Sequence, residues 1–313
     1  MESNGITGLD FAVDSDFDDI LTNPILDIAA RFWDADRYEA FQVCYRSMRR
    51  IDDLVDDRKA TGRKITPEEA SNYARMISDW LESIKRGENG DQFTEQFLET
   101  RVKYSIPLWP WERLCKAMAY DLHHDGYPNF LAFLRYAEGA AISPAAVFMH
   151  LCGVSEANGN FRAPTFDIRK AARPLALFSY LVHIIRDFQK DTLANLCYFP
   201  LDMLRQHDLN EGDLKAIAAD ASPTESFRQL VGRIKAIAEY YGGRARETID
   251  TIEPSLPPRY RLSLEIIYSL YSQIFERIDP ENGCFSTGEL NPTAGQVKER
   301  LEVTIRRFSR AGD

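Results

Sequence analysis

The sequence contains no run of about 18 consecutive apolar residues, so a membrane-spanning helix is not expected. Its opening stretch, from Met1 to Asp19, is acidic, with neither a basic start nor an apolar segment, so a signal peptide is not expected either. Cysteine is sparse. Cys44, Cys115, Cys152, Cys197 and Cys284 are odd in number, lie far apart and form no CxxC pair. That excludes a disulfide framework and points to reduced, mostly buried thiols in a cytoplasmic protein. Basic residues are in deficit, with Lys+Arg 38 against Asp+Glu 48 and a net charge of −10. Such a surface repels a phosphate backbone, so nucleic acid is not an expected partner, although a local basic pocket for a small phosphate ligand stays open. No stretch alternates with period two for long enough to predict a sheet. Low-complexity segments, short tandem repeats and a long linker are all missing. Tyr240-Tyr241-Gly242-Gly243 is not a nucleotide loop, because no strand precedes it.

What is present is helical periodicity. Apolar and aromatic residues recur at helical spacing over about 38–58, 67–85, 111–123, 129–152, 168–196, 223–252 and 259–278. Thr66-Pro67-Glu68-Glu69 reads as an N-cap, a proline at the first helical position and acidic residues on the positive end of the helix dipole. Ser222-Pro223-Thr224-Glu225 follows the same logic less cleanly. Breaks fall at Ala60-Thr61-Gly62, at 87–90, at Asn158-Gly159-Asn160 and between Pro254 and Pro258. The expectation is one all-α domain over 20–313, preceded by an acidic segment over 1–19.

Two of these helices carry chemistry. In the first, Tyr45, Arg49, Asp52 and Asp56 stand at i, i+4, i+7 and i+11, which stacks them along one stripe. Carboxylates one turn apart, about 5–6 Å between Cβ atoms, repel each other unless a cation lies between them. A hard divalent cation such as Mg²⁺ uses one or two carboxylates plus phosphate oxygens. Arg49 adds forked donors suited to phosphate. In the second helix, Tyr180, His183, Asp187 and Asp191 stand at i, i+3, i+7 and i+11, with Arg186 beside them. Its intervening residues are apolar, and buried aspartates need a partner. A lone DxxxD is ordinarily a solvated acidic face. Two of them, each preceded by arginine, are harder to explain that way. His123-His124-Asp125 reads instead as a solvated helix end, since adjacent helical residues point apart.

These residues resemble the squalene/phytoene synthase family of head-to-head prenyltransferases. The family's first aspartate-rich motif, Tyr-x-x-x-Arg-x-x-Asp-x-x-x-Asp, matches in full at Tyr45, Arg49, Asp52 and Asp56. Its second motif matches at Leu181, Ile184, Arg186, Asp187 and Asp191, followed by Tyr198-Phe199-Pro200-Leu201-Asp202. A middle block is similar at Asp121-Leu122, Tyr127 and Tyr136, and the last core helix at Leu270-Tyr271-Ser272-Gln273-Ile274-Phe275. The likeness covers about residues 20–305.

The resemblance implies an all-α isoprenoid-synthase bundle with a central cavity. It implies two allylic prenyl diphosphates, farnesyl or geranylgeranyl, bridged through Mg²⁺ to Asp52, Asp56, Asp187 and Asp191. It implies condensation through a cyclopropylcarbinyl diphosphate to a C30 or C40 hydrocarbon. Arg49, Arg186 and His183 are the expected diphosphate-binding residues. Tyr45, Tyr136 and Tyr271, with Arg49 and Arg186, are the expected catalytic set, the tyrosine faces stabilising cations. NADPH is not indicated, because no dinucleotide fingerprint is present, although relatives bind it without that fold. A hydrocarbon product implies peripheral membrane contact around the cavity mouth. The sequence departs from the family at Asn23-Pro24-Ile25-Leu26, where hydroxyls are expected; at Tyr180 and His183, where Gln and Asn are expected; at Gly126-Tyr127, where Arg-Tyr usually follows the middle block; and at Ala140 to Ala145, where two glycines are lost and Pro144 is gained. Pro144 is expected to kink or reshape its helix. A non-catalytic family member acting as an assembly factor or lipid-binding protein, and a terpene cyclase of the same fold, are the alternatives.

Overall fold

Local signals set most helix starts in the computed structural model, which describes residues 20–88, 90–124 and 126–311. Thr66 accepts from the Glu69 amide and Glu69 reaches back to Thr66, a complete capping box. Asp34, Asp91, Asn129, Asp167, Asn210 and Thr224 likewise cap with their side chains. The helices are α1 Ile25–Ala30, α2 Ala35–Ala60, α3 Pro67–Arg86, α4 Gln92–Lys103, α5 Trp109–His123, α6 Phe130–Ala140, α7 Ile142–Gly153, α8 Ile168–Arg186, α9 Phe188–Leu193, α10 Leu201–Gln206, α11 Glu211–Ala218, α12 Glu225–Ile252, α13 Pro258–Arg277, α14 Thr287–Leu290 and α15 Ala294–Ala311. Residues 1–19, read from sequence as an acidic segment, lie outside the described residues.

Three features correct the periodicity. The span 129–152 is two helices, because the chain turns at Ala141 (φ −115°, ψ −48°). Pro144 then falls in the first turn of α7, where the amide it lacks would have had no intrahelical acceptor. The span 168–196 also divides, at Asp187 (φ −94°, ψ 5°), so Asp187 joins α8 to α9. Finally, a small antiparallel hairpin, β1 Ser155–Ala157 and β2 Asn160–Arg162, interrupts the all-helical pattern. Asn158 and Gly159 both take positive φ at its turn.

α8 forms the centre, packed against α7, α12 and α13. Gly242 lets α12 approach, since a Cβ there would meet the Phe178 ring at 3.2 Å. Gly139 does the same for α6 on α5, where a Cβ would collide with the Arg113 carbonyl. One large apolar core joins these helices, and its buried Trp111 donates to Ser47 Oγ at 2.9 Å. The free thiols of Cys44, Cys115 and Cys152 are buried, while Cys284 is exposed. Among the described residues no helix is long and apolar enough to cross a membrane.

Candidate functional site

α2 sends Phe41, Cys44, Met48 and Val55 into the core. Its stripe of Tyr45, Arg49, Asp52 and Asp56 runs beside that face and lines a cavity of about 1030 Å³. The cavity lies among α2, α5, α7, α8 and α13, with apolar walls that include Met48, Leu114, Phe148, Leu175 and Ile267. Asp187, Asp191, His183 and Arg186 line it too, as do Tyr136 and Tyr271. Every site residue expected from sequence is therefore brought to one cavity.

The first carboxylate pair is crowded. Arg49 donates to Asp52 Oδ2 at 2.6 Å and also pairs with Asp53. Burial pushes the Asp52 carboxyl well above the usual range, with Arg49 opposing and Asp53 and Asp121 adding to the rise. Burial, then Asp52 and Asp121, raise Asp56 in the same direction. Asp56 Oδ1 is buried without a hydrogen-bond partner among the described residues. Beneath the pair, Asp121 of α5 is buried and accepts from Lys59 Nζ at 2.7 Å. The middle-block resemblance named Asp121, but its spacing gave no sign that it stands under Asp52 and Asp56.

The second pair is asymmetric. Arg186 grips Asp187 through two parallel hydrogen bonds, Nε to Oδ1 at 2.6 Å and Nη2 to Oδ2 at 2.8 Å. Arg186 Nη2 also lies 2.9 Å from His183 Nδ1, and His183 Nε2 lies 3.1 Å from Asp187 Oδ2. A guanidinium can only donate, so Nδ1 accepts, and Nε2 carries the proton facing the carboxylate. His183 is thus a neutral bridge. Burial and the Arg186 charge act the same way, holding its imidazole down to about 4. Although burial opposes it, the Arg186 hydrogen bond holds Asp187 below the ordinary range, whereas burial and then Asp187 push Asp191 up to about 7. The Asp191 amide bonds the Asp187 carbonyl at 2.8 Å, which keeps the two carboxylates one turn apart across the helix break.

Among the described residues, no three His, Cys, Asp or Glu side chains converge into a metal cage. The donor set is instead oxygen from one or two carboxylates at a time, with His183 using both nitrogens elsewhere. A hard cation completed by water and phosphate oxygens suits that set, and the unpartnered Asp56 oxygen faces the need for one. Tyr180 and Tyr198, named in the second motif and its tail but not in the expected catalytic set, also line the cavity. Tyr180 stacks on Phe133 at 5.5 Å and meets Tyr198 at 6.4 Å. Their signal was visible as a Tyr in place of the expected Gln and as the first residue of the Tyr-Phe-Pro segment. Asn23, Pro24, Ala141 and Pro144, where the family pattern is lost, also line the cavity.

The family model described as squalene/phytoene synthase matches residues 27–296. A chloroplastic phytoene synthase 2 from Zea mays is 26% identical over 179 residues, 57% of this chain and 42% of that protein. The chain thus spans about two-fifths of the length of the plant relatives it matches. A 15-cis-phytoene synthase from Synechococcus elongatus is 24% identical over 256 residues, 78% of this chain and 76% of that one. A crystal structure of a dehydrosqualene synthase in complex with ligand superposes with TM-score 0.68 at 14% identity, covering 94% of this chain and 95% of that one. Squalene synthase HpnC from Alicyclobacillus acidocaldarius superposes with TM-score 0.54 at 14% identity, covering 90% and 98%. These two likenesses carry the fold, an all-α isoprenoid-synthase bundle.

Proposed function

Because the chain belongs to the squalene/phytoene synthase family, we propose that it condenses two allylic prenyl diphosphates head to head into a C30 or C40 isoprenoid. The observation that carries this reading is the cavity itself: two carboxylate pairs and two arginines stand along one apolar chamber of about 1030 Å³.

The reaction begins when the C–O bond of one substrate breaks, leaving diphosphate and an allylic cation. The double bond of the second substrate attacks that cation. Proton loss closes a cyclopropylcarbinyl diphosphate, which loses its own diphosphate and rearranges to a linear allylic cation. That cation becomes the neutral product by losing a proton or, where NADPH is supplied, by accepting its hydride. Asp52, Asp56, Asp187 and Asp191 would hold Mg²⁺, which supplies charge neutralisation for the departing diphosphate. Arg49 and Arg186 donate charge-assisted hydrogen bonds to the same oxygens. For that they exchange one anionic partner for another, leaving Asp52 and Asp187. His183 keeps Asp187 and Arg186 in register during the exchange. The walls at Leu114, Phe148, Leu175 and Ile267 exclude water that would quench a cation. The faces of Tyr45, Tyr136 and Tyr271, with Tyr180 and Tyr198, offer it a π-cloud instead. A hydrocarbon of this size leaves water, so peripheral membrane contact goes with the reaction.

Release of inorganic pyrophosphate from farnesyl or geranylgeranyl diphosphate, with Mg²⁺, tests the activity. Wild type is expected to release it and Asp56→Ala to lose release at least a hundredfold. Equal release by both would remove the carboxylates from the mechanism. No release by folded wild type would favour a non-catalytic lipid-binding role.

A further inference from the structure

Among the described residues, three cationic side chains line the cavity: Arg49, Arg186 and Lys190. Two of them are already taken. Arg49 is held by Asp52 and Asp53, and Arg186 by Asp187 and His183. Lys190 is exposed, and its side chain forms no hydrogen bond or ion pair with another described residue. It lies in α9 three residues after Asp187 and one before Asp191. Asp187, Lys190, Asp191 and Ala194 all line the cavity, so the lysine stands on the inward face of that turn. Its ammonium is close enough to oppose the rise at Asp191 and to add to the lowering at Asp187 and His183.

An incoming diphosphate must therefore displace a directly paired carboxylate from each arginine but from the lysine none. A lysine also brings three donors on a flexible four-carbon stem, able to follow a phosphate as it moves. We propose that Lys190 is a substrate-binding residue, the cation that first receives the diphosphate beside the second carboxylate pair. This rests on the cavity being a prenyl diphosphate site. Arg186 is then free to leave Asp187 only after the anion has arrived, which orders the two contacts.

The test is calorimetric titration of the full chain with inorganic pyrophosphate in the presence of Mg²⁺. Wild type, Lys190→Arg, Lys190→Gln and Lys190→Glu are compared, with the exposed Lys116→Gln of α5 as a control. Affinity is expected to fall about tenfold for Gln, the low end for a charge-assisted hydrogen bond in a partly exposed site. It should fall further for Glu, stay near wild type for Arg and be unchanged for Lys116→Gln. With prenyl diphosphate the Gln variant should raise KM more than it lowers kcat. Lys190→Gln binding as tightly as wild type would overturn the role of Lys190 and leave the diphosphate site standing. Absence of pyrophosphate binding by folded wild type would overturn the site and the lysine's role together. Because the residue is exposed and unpaired, a graded order of Arg, Gln and Glu separates charge from misfolding.

Discussion

Arg186 Nη2 donates to His183 Nδ1 across 2.9 Å, and the direction of that bond is fixed by the chemistry of the guanidinium. His183 is left with only its Nε2 proton, and that nitrogen lies 3.1 Å from Asp187 Oδ2. The imidazole thus ties the arginine to the carboxylate that the arginine itself grips, and it is removed from the set of metal ligands.

From this bridge, His183→Phe is expected to lower turnover at least tenfold while leaving the protein folded. His183→Asn retains a donor of shorter reach and should lose less. Steady-state kinetics on the two variants checks the order. A phenylalanine variant with wild-type kcat and KM would show that the bridge has no part in turnover.

Arg186 and Asp187 are 17% and 13% exposed at their side chains, a mostly buried pair. Removing one partner strands the other charge, so Arg186→Gln should cost about 3 kcal/mol of stability, at the lower end for a buried pair. Arg186→Lys keeps the charge but loses the fork, and should cost less. Thermal or urea unfolding measures both.

The pH dependence of the metal-free protein follows from the raised carboxyls. Asp52, Asp56 and Asp191 bind protons more tightly folded than unfolded. Their contribution is fully present below the unfolded value near 4 and is lost as pH rises through about 7, the folded value of Asp191. Asp187 works in the opposite sense, losing its contribution only in acid. Tm without metal should therefore fall between about pH 4 and 7, and millimolar Mg²⁺ should restore it at the upper end. Asp56→Asn and Asp191→Asn should flatten the fall. Scanning fluorimetry across that range, with and without Mg²⁺, reads all of these.

Ala145 of α7 and Ala176 of α8 line the chamber. Phenylalanine at the half-buried Ala145 fills chamber space, so Tm should move little, whereas at the buried Ala176, packed in a cluster with Ala137, Ile142 and Leu177, it also crowds its neighbours and should lower Tm. Prenyl diphosphate consumption should fall, more with geranylgeranyl than with farnesyl diphosphate. Comparing the two substrates on Ala145→Phe checks it.

Much of this site was legible because helical spacing is a strong geometric code. Tyr45, Arg49, Asp52 and Asp56 needed only the periodicity of one helix to be placed together. The break at Asp187 was not legible, since no glycine or proline marks it and its φ and ψ are set by tertiary packing. The break at Ala141 was passed over although Gly139 and Pro144 flank it, because the apolar periodicity runs unbroken across them. The hairpin at 155–162 was too short for alternation to register. Lys59 and Asp121 lie 62 residues apart, and nothing local announces a pairing across that distance. His183 was visible as a departure, but which group each ring nitrogen faces depends on side-chain placement.

The most direct measurement is the carbon count of the product. Purified protein is incubated with farnesyl or geranylgeranyl diphosphate and Mg²⁺, with and without NADPH, and the organic extract is analysed by mass spectrometry. Head-to-head condensation yields a C30 or C40 hydrocarbon that vanishes with EDTA and in Asp56→Ala. A cyclised product retaining the carbon count of one substrate, or intact substrate under every condition, would contradict it.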